Sequence, residues 1–254
     1  MSDSSPKLLP PNDARAGIDS NDPAPAKASQ RLRCFELMLV LFVAFAGSVS
    51  VSIYTLFTGA SLYGSNASSA LNFVGVIQEV AALGVLSYVL LRQGRSPRDL
   101  GLTFNWKDLP LSVGLALVAL IAEVVAWKLL SYGYLRATGH NLDTTQRNVE
   151  FITSSFSVWT VILVTINPFF EELIVRAYLI SEVQSLTGSA LIAVVLSVVL
   201  QATYHLYQGP ASFVIYAAMF AVFSIYYVQN RRIVPVILAH FYFDFMAVIY
   251  FWWR

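Results

Sequence analysis

The amino-acid sequence predicts an all-α, polytopic transmembrane helix bundle of about seven spans, preceded by a disordered N-terminal tail. Three observations predict it. Only 12% of the 254 residues are charged and 57% are apolar, against roughly 25% charged in a soluble domain, so most of the chain cannot face water. Apolar runs recur at the length of roughly 20 residues that a helix needs to cross a bilayer, and the stretch from Leu37 to Phe57 holds no charged residue. Lys and Arg, finally, gather in alternate connections between those runs, as the positive-inside rule requires of a multi-pass protein.

Residues 1–30 carry Pro6, Pro10, Pro11, Pro23 and Pro25 among scattered Asp, Ser, Asn and Ala. Such a segment buries too little apolar surface to offset its ordering entropy, so it is expected to be a disordered polar tail before a transmembrane domain of residues 31–254. The tail has no apolar signal-peptide core, so the first span is expected to stay as an anchor.

The spans are expected at 36–58, 71–92, 109–134, 156–181, 189–207, 211–229 and 233–253. Arg31 and Arg33 precede the first; Arg92, Arg95, Arg98 and Lys107 lie between the second and third; Arg231 and Arg232 lie between the sixth and seventh. These connections are assigned to the cytoplasm, which puts the N-terminus inside and the C-terminus outside. The 59–70 connection has no Lys or Arg, and the 135–155 loop balances Arg136 and Arg147 against Asp143 and Glu150. Asn66-Ala67-Ser68 in the former has the form of a glycosylation acceptor, which matters only in a eukaryotic secretory membrane.

Several classes are excluded or disfavoured. A net charge of +1 offers no basic face to a nucleic-acid partner. The single cysteine, Cys34, rules out an internal disulfide and a cysteine-rich metal site; it precedes the first span, where palmitoylation occurs, and reads as an ordinary boundary residue. No internal repeat is visible, which speaks against an inverted-repeat transporter.

A charge near the bilayer centre costs somewhere between about 2.5 and 17 kcal/mol, so ionisable residues inside apolar spans are functional candidates by default. Three groups stand out: Asn167-Pro168-Phe169-Phe170-Glu171-Glu172 with Arg176 in the fourth span, Tyr204-His205 ending the fifth, and His240 with Asp244 in the seventh. Of three histidines only His140 lies in a loop. His240 and Asp244 are four residues apart and share a helix face, as do Glu172 and Arg176, which can form a charge pair that lowers the cost of burying both. Glu171, turned by about 100° from Glu172, is free to point at a different neighbour. Glu171 is therefore assigned to chemistry and Glu172 with Arg176 to structural support. If the fourth and fifth spans turn near Gly188, Glu171 and His205 come to matching heights, whereas His240 enters its helix too shallowly to meet them without tilt or a cavity. Glu79, Glu123 and Lys128 are further intramembrane charges and are left outside the site.

Glu171-Glu172 with Arg176, then His205, then His240 with Asp244, on three separate apolar helices, resembles the CPBP (Abi) family, which includes CAAX prenyl endopeptidases and bacteriocin-processing intramembrane proteases. The resemblance runs from about Asn167 to Phe245 and includes the flanking words Tyr204 to Gly209, Pro235 to His240 and Asp99-Leu100-Gly101-Leu102. It implies an intramembrane endopeptidase acting on a membrane-associated peptide, prenylated or leader-type, in which Glu171 and His205 activate water while His240 and Asp244 stabilise the oxyanion. Peptide hydrolysis independently needs a base near neutral pH, which a desolvated Glu supplies, and donors aimed at the oxyanion.

Two positions depart from the pattern. Gln201 stands where the second motif usually has Phe, which changes packing or adds a hydrogen bond. Asp244 stands where Asn is common, and an ionised carboxylate only accepts, so Asp244 suits orienting His240 or binding a metal. No cofactor is favoured; zinc is the alternative, on Glu171, His205, His240 and Asp244. The competing functions are a catalytically silent scaffold or regulator of another membrane protein, and a proton- or ion-coupled transporter.

Overall fold

The computed structural model describes residues 24–58, 68–142 and 157–252. Among them every regular element is helical: α1 (Ala24–Thr58), α2 (Ser68–Arg92), a short 3₁₀ turn (Pro97–Leu100), α3 (Asp108–Thr138), α4 (Val158–Glu171), a π-helical stretch (Glu172–Tyr178), α5 (Leu179–Thr187), α6 (Ala190–Tyr204), α7 (Pro210–Asn230) and α8 (Val234–Trp252). The all-α bundle expected from the apolar runs is what is found. Five rods are long and apolar enough to cross a bilayer, α4, the π stretch and α5 together forming one of them; α6 and α8 are the shorter apolar helices. The expected tail reaches Gln30, but α1 already begins at Ala24; the rest of the tail, Asn66 and Ala67 of the glycosylation tripeptide, and the loop charges Asp143, Arg147 and Glu150 lie outside the described residues.

Polarity is arranged for lipid. Large apolar side chains such as Phe42, Phe57, Ile121, Leu129, Leu191 and Met246 are exposed, while Glu171, Glu172, Arg176, Gln201 and His240 are buried. Water would penalise an apolar belt of this size, and hydrocarbon would penalise those polar groups on the outside, so both facts suit a bundle immersed in a bilayer. The chain is an integral membrane protein.

Small polar residues tie the interior together where helices approach closely. Ser52 of α1 donates to the Tyr204 carbonyl at 2.6 Å, Ser197 of α6 donates to the Val175 carbonyl at 2.8 Å, and Asn72 of α2 donates to Thr160 Oγ1 of α4 at 2.9 Å. Phe45 of α1 stacks on Tyr204 and touches Phe170, with centroids 4.8 and 5.2 Å apart. These contacts gather α1, α2, α4 and α6 around the polar interior.

One end of the bundle is held by ion pairs. The fully buried Glu182 receives Arg33 at 2.9 Å and Arg95 at 2.5 Å, Asp108 receives Arg232 at 2.5 Å, and Glu36 pairs with Arg92. Here Gly101 has φ +83°, and a β-carbon on it would stand 2.1 Å from the Arg231 carbonyl oxygen, so only glycine lets the α2–α3 connection lie against the α7–α8 turn. In the same connection, hydrogen bonds from the Ser96 backbone and hydroxyl hold Asp99 below the usual carboxylate range.

Candidate active site

Pro168 lies inside α4, where it cannot donate to the carbonyl one turn back, and the backbone then widens into a π stretch from Glu172 to Tyr178 in which every residue is buried. Such wide turns are frequent at functional sites. Here the change of winding begins between the two adjacent glutamates.

Glu171 faces α6. Its Oε2 accepts a 2.6 Å hydrogen bond from Gln201 Nε2, and both residues are buried. Glu172 faces α8, where its Oε1 accepts from His240 Nδ1 at 2.7 Å, and its Oε2 stands 3.2 Å from Arg176 Nε. The fully buried Arg176 guanidinium lies over the Phe220 ring at 4.9 Å and near Phe223 at 6.0 Å, an aromatic bed that suits a weakly hydrated cation. The other nitrogen of His240 stands 3.5 Å from Asp244 Oδ1, and Asp244 Oδ2 accepts from Asn167 Nδ2 at 3.2 Å. Both ring nitrogens of His240 thus face carboxylates, an arrangement fully served only when both carry hydrogen.

His205 ends α6. Its Nδ1 lies 2.8 Å from the Gln201 carbonyl oxygen, which can only accept, so in the neutral ring Nδ1 carries the hydrogen and Nε2 is left as an acceptor. Tyr204, Tyr216 and Phe220 surround the imidazole at 4.8, 5.6 and 5.2 Å between centroids. Glu171 is within electrostatic reach of it.

The helix hairpin does not have the register expected from a turn at Gly188. Glu171 meets Gln201 and Val175 meets Ser197, so Glu171 lies level with Gln201, one turn short of His205. The same register holds at both contacts, four residues apart on each helix, so the hairpin as a whole is paired one turn away from a turn centred on Gly188. His240, whose depth in its helix left it apart in the sequence reading, reaches Glu172. Glu172 was expected to serve Arg176 alone; it serves His240 as well.

Among the described residues, the group with ligand atoms close enough for one metal ion, all within 4.8 Å, is Glu171, Glu172 and His240. His205 and Asp244, which the sequence offered as zinc ligands, are not in that group, and Glu172 is. Asn167, which carried no assigned role in the sequence, holds Asp244.

Buried carboxylates with one buried and one half-buried imidazole, gathered on helices that present apolar faces to lipid, define a class: a multi-pass membrane protein with a polar site in its interior. Residues 153–246, which contain Glu171, Glu172, Arg176, His205, His240 and Asp244, match the family model described as type II CAAX prenyl endopeptidase Rce1-like. The match supports the resemblance to the CPBP and CAAX protease family over that segment, and the matched family is one of proteases. Comparison with curated proteins and with solved structures found no match.

Proposed function

We propose that this chain is an intramembrane endopeptidase that hydrolyses a peptide bond of a membrane-associated substrate with water activated by Glu171 and His205. The observation that carries the reading is Glu171 itself, a buried carboxylate held through one oxygen by Gln201 and lying within electrostatic reach of His205. A water between the other oxygen of Glu171 and the acceptor nitrogen of His205 gives a proton to Glu171 as it attacks the carbonyl carbon, and the protonated Glu171 passes that proton to the amide nitrogen as the C–N bond breaks. The oxyanion formed takes the Nε2–H of His240, whose contact to Asp244 is long enough to yield to a better acceptor. Asp244, fixed by Asn167, and Glu172, fixed by Arg176, orient the His240 ring, and the low dielectric of the bilayer interior strengthens each of these interactions.

The reading is metal-free. A zinc ion on Glu171, Glu172 and His240 would polarise the carbonyl and activate water. The residues fit it poorly, because Nδ1 of His240 is engaged by Glu172, and the other oxygen of Glu172 faces the Arg176 cation. A metal would have to break that hydrogen bond and compete with a fixed guanidinium.

Prenylated tails, leader peptides and signal-peptide remnants all have the chemistry such a site accepts. The arginine-bearing end, with Arg33, Arg92, Arg95 and Arg232, is read as cytoplasmic, which puts the N-terminus on that side. The test is comparative proteomics of membranes holding the wild-type chain or Glu171→Ala: an endopeptidase leaves peptides that end at a common bond with the first and not with the second. Indistinguishable peptide profiles would instead favour the silent scaffold.

A further inference from the structure

We propose that Glu79 of α2, outside the segment matched to the protease family, is a substrate-binding residue of this site, accepting a backbone N–H of the bound peptide. The inference rests on the endopeptidase reading for its substrate and on the following geometry for its place.

The side chains that join α2 to α4 keep a constant offset. Asn72 bonds Thr160, 88 residues on, and Leu163, the same distance on from Gly75, lies 3.2 Å from where a β-carbon on Gly75 would stand. The two helices therefore run in the same direction side by side. One turn further, the same offset sets Glu79 opposite Asn167, the residue that holds Asp244 at 3.2 Å. The neighbouring Gln78 donates to the Ala44 carbonyl at 2.9 Å, which fixes that part of α2 against α1. The Glu79 carboxyl lies within electrostatic reach of Glu171, Asp244 and His240.

Glu79 is 7% exposed, and its buried Oε2 has no hydrogen-bond partner. The other acids of the cluster each have a partner: Gln201 donates to Glu171, Asn167 to Asp244 and His240 to one oxygen of Glu172, whose other oxygen has no hydrogen bond but stands in an ion pair with Arg176. A buried acceptor without a donor is costly, and the donors of the cluster, Asn167 Nδ2 and the His240 ring, are turned to Asp244 and Glu172. A peptide is the complementary ligand: an extended backbone entering the cluster brings N–H groups, and Glu79 Oε2 is the acceptor left for one of them. Asp244, by contrast, already accepts from Asn167 and faces His240.

The test is steady-state cleavage of a membrane-reconstituted peptide by wild type, Glu79→Ala and Glu79→Gln, with Glu171→Gln as the control for the reaction itself. A hydrogen bond made equally in the ground and transition states acts on KM alone. Glu79→Ala is expected to raise KM about tenfold with kcat kept, and Glu79→Gln, which retains an acceptor oxygen, to stay within about threefold of wild type. Unchanged KM in Glu79→Ala, or a loss confined to kcat, would overturn the proposal. Loss of the reaction in Glu171→Gln, together with an unaffected Glu79→Ala, would sink this inference and leave the endopeptidase reading standing. The placement has its own readout, independent of any substrate. In a Cys34→Ser background, Glu79→Cys should react with a water-soluble, membrane-impermeant thiol reagent once both faces of a reconstituted bilayer are exposed to it, and the site lined by Asp244 should admit it. A folded Glu79→Cys chain that stays unlabelled would overturn the placement of Glu79 in the site.

Discussion

Glu172 Oε1 accepts a hydrogen bond from His240 Nδ1 at 2.7 Å across 68 residues of chain, and its other oxygen stands 3.2 Å from Arg176. A residue read from sequence as half of a local charge pair is thus the joint between the helix that carries the proposed base and the helix that carries the proposed oxyanion donor. Arg176, Glu172, His240 and Asp244 form one line of alternating partners, so each change along it has a distinct expected effect.

Arg176→Ala removes the cation and leaves Glu172 buried with a histidine alone. The expected loss is about 3–5 kcal/mol of stability, visible as a fall in thermal unfolding temperature and folding yield in detergent. Unchanged thermal stability with lost turnover would instead place Arg176 in the chemistry.

Gln201→Leu deprives Glu171 Oε2 of its donor without removing volume. It is expected to destabilise the fold by about 1–3 kcal/mol, the cost of leaving a buried acceptor unmade, and to lower kcat by freeing the carboxylate to rotate. Unfolding temperature and single-turnover rates measure the two parts separately. Wild-type values for both would show that the hydrogen bond holds nothing that matters.

Much of this arrangement was legible in the sequence. The apolar runs located the spans, because hydrocarbon demands continuous helices of fixed length. The ionisable residues inside them marked the cluster, because lipid makes them costly. The partnership of Glu172 with Arg176 followed from their four-residue spacing. What escaped was the winding and the register. A periodicity argument assumes 3.6 residues per turn, which the π stretch starting at Glu172 does not keep, and a turn centred on Gly188 does not give the pairing found, in which Glu171 meets Gln201 and Glu172 meets His240. Pro168 was the available signal, since a proline inside a span disturbs the ladder it sits in, but a proline does not say how the disturbance resolves. Asn167 carried no mark of its own; its role exists only because α8 brings Asp244 beside it.

Asp244→Asn separates an orienting role from a metal-binding one. With Asp244 holding His240 and no metal involved, the variant is expected to retain or exceed wild-type turnover, because the amide still bonds Asn167 and can also donate. Washed, active protein should hold well below stoichiometric zinc by elemental mass spectrometry, and slow chelators should leave cleavage intact. Stoichiometric zinc, whose removal abolishes turnover and whose return restores it, would contradict the metal-free reading.

The most direct measurement is cleavage of a membrane-reconstituted peptide by purified wild-type chain and by Glu171→Gln, with folding of each followed by elution and thermal unfolding. Gln keeps the size of the side chain and a carbonyl oxygen that can still accept from Gln201, and it loses only the ability to take a proton from water. The predicted result is cleavage at a defined bond by wild type and none by Glu171→Gln, with both species folded. A folded Glu171→Gln chain that cleaves at the wild-type rate would contradict the assignment of Glu171 as the base, and with it the mechanism built around that residue.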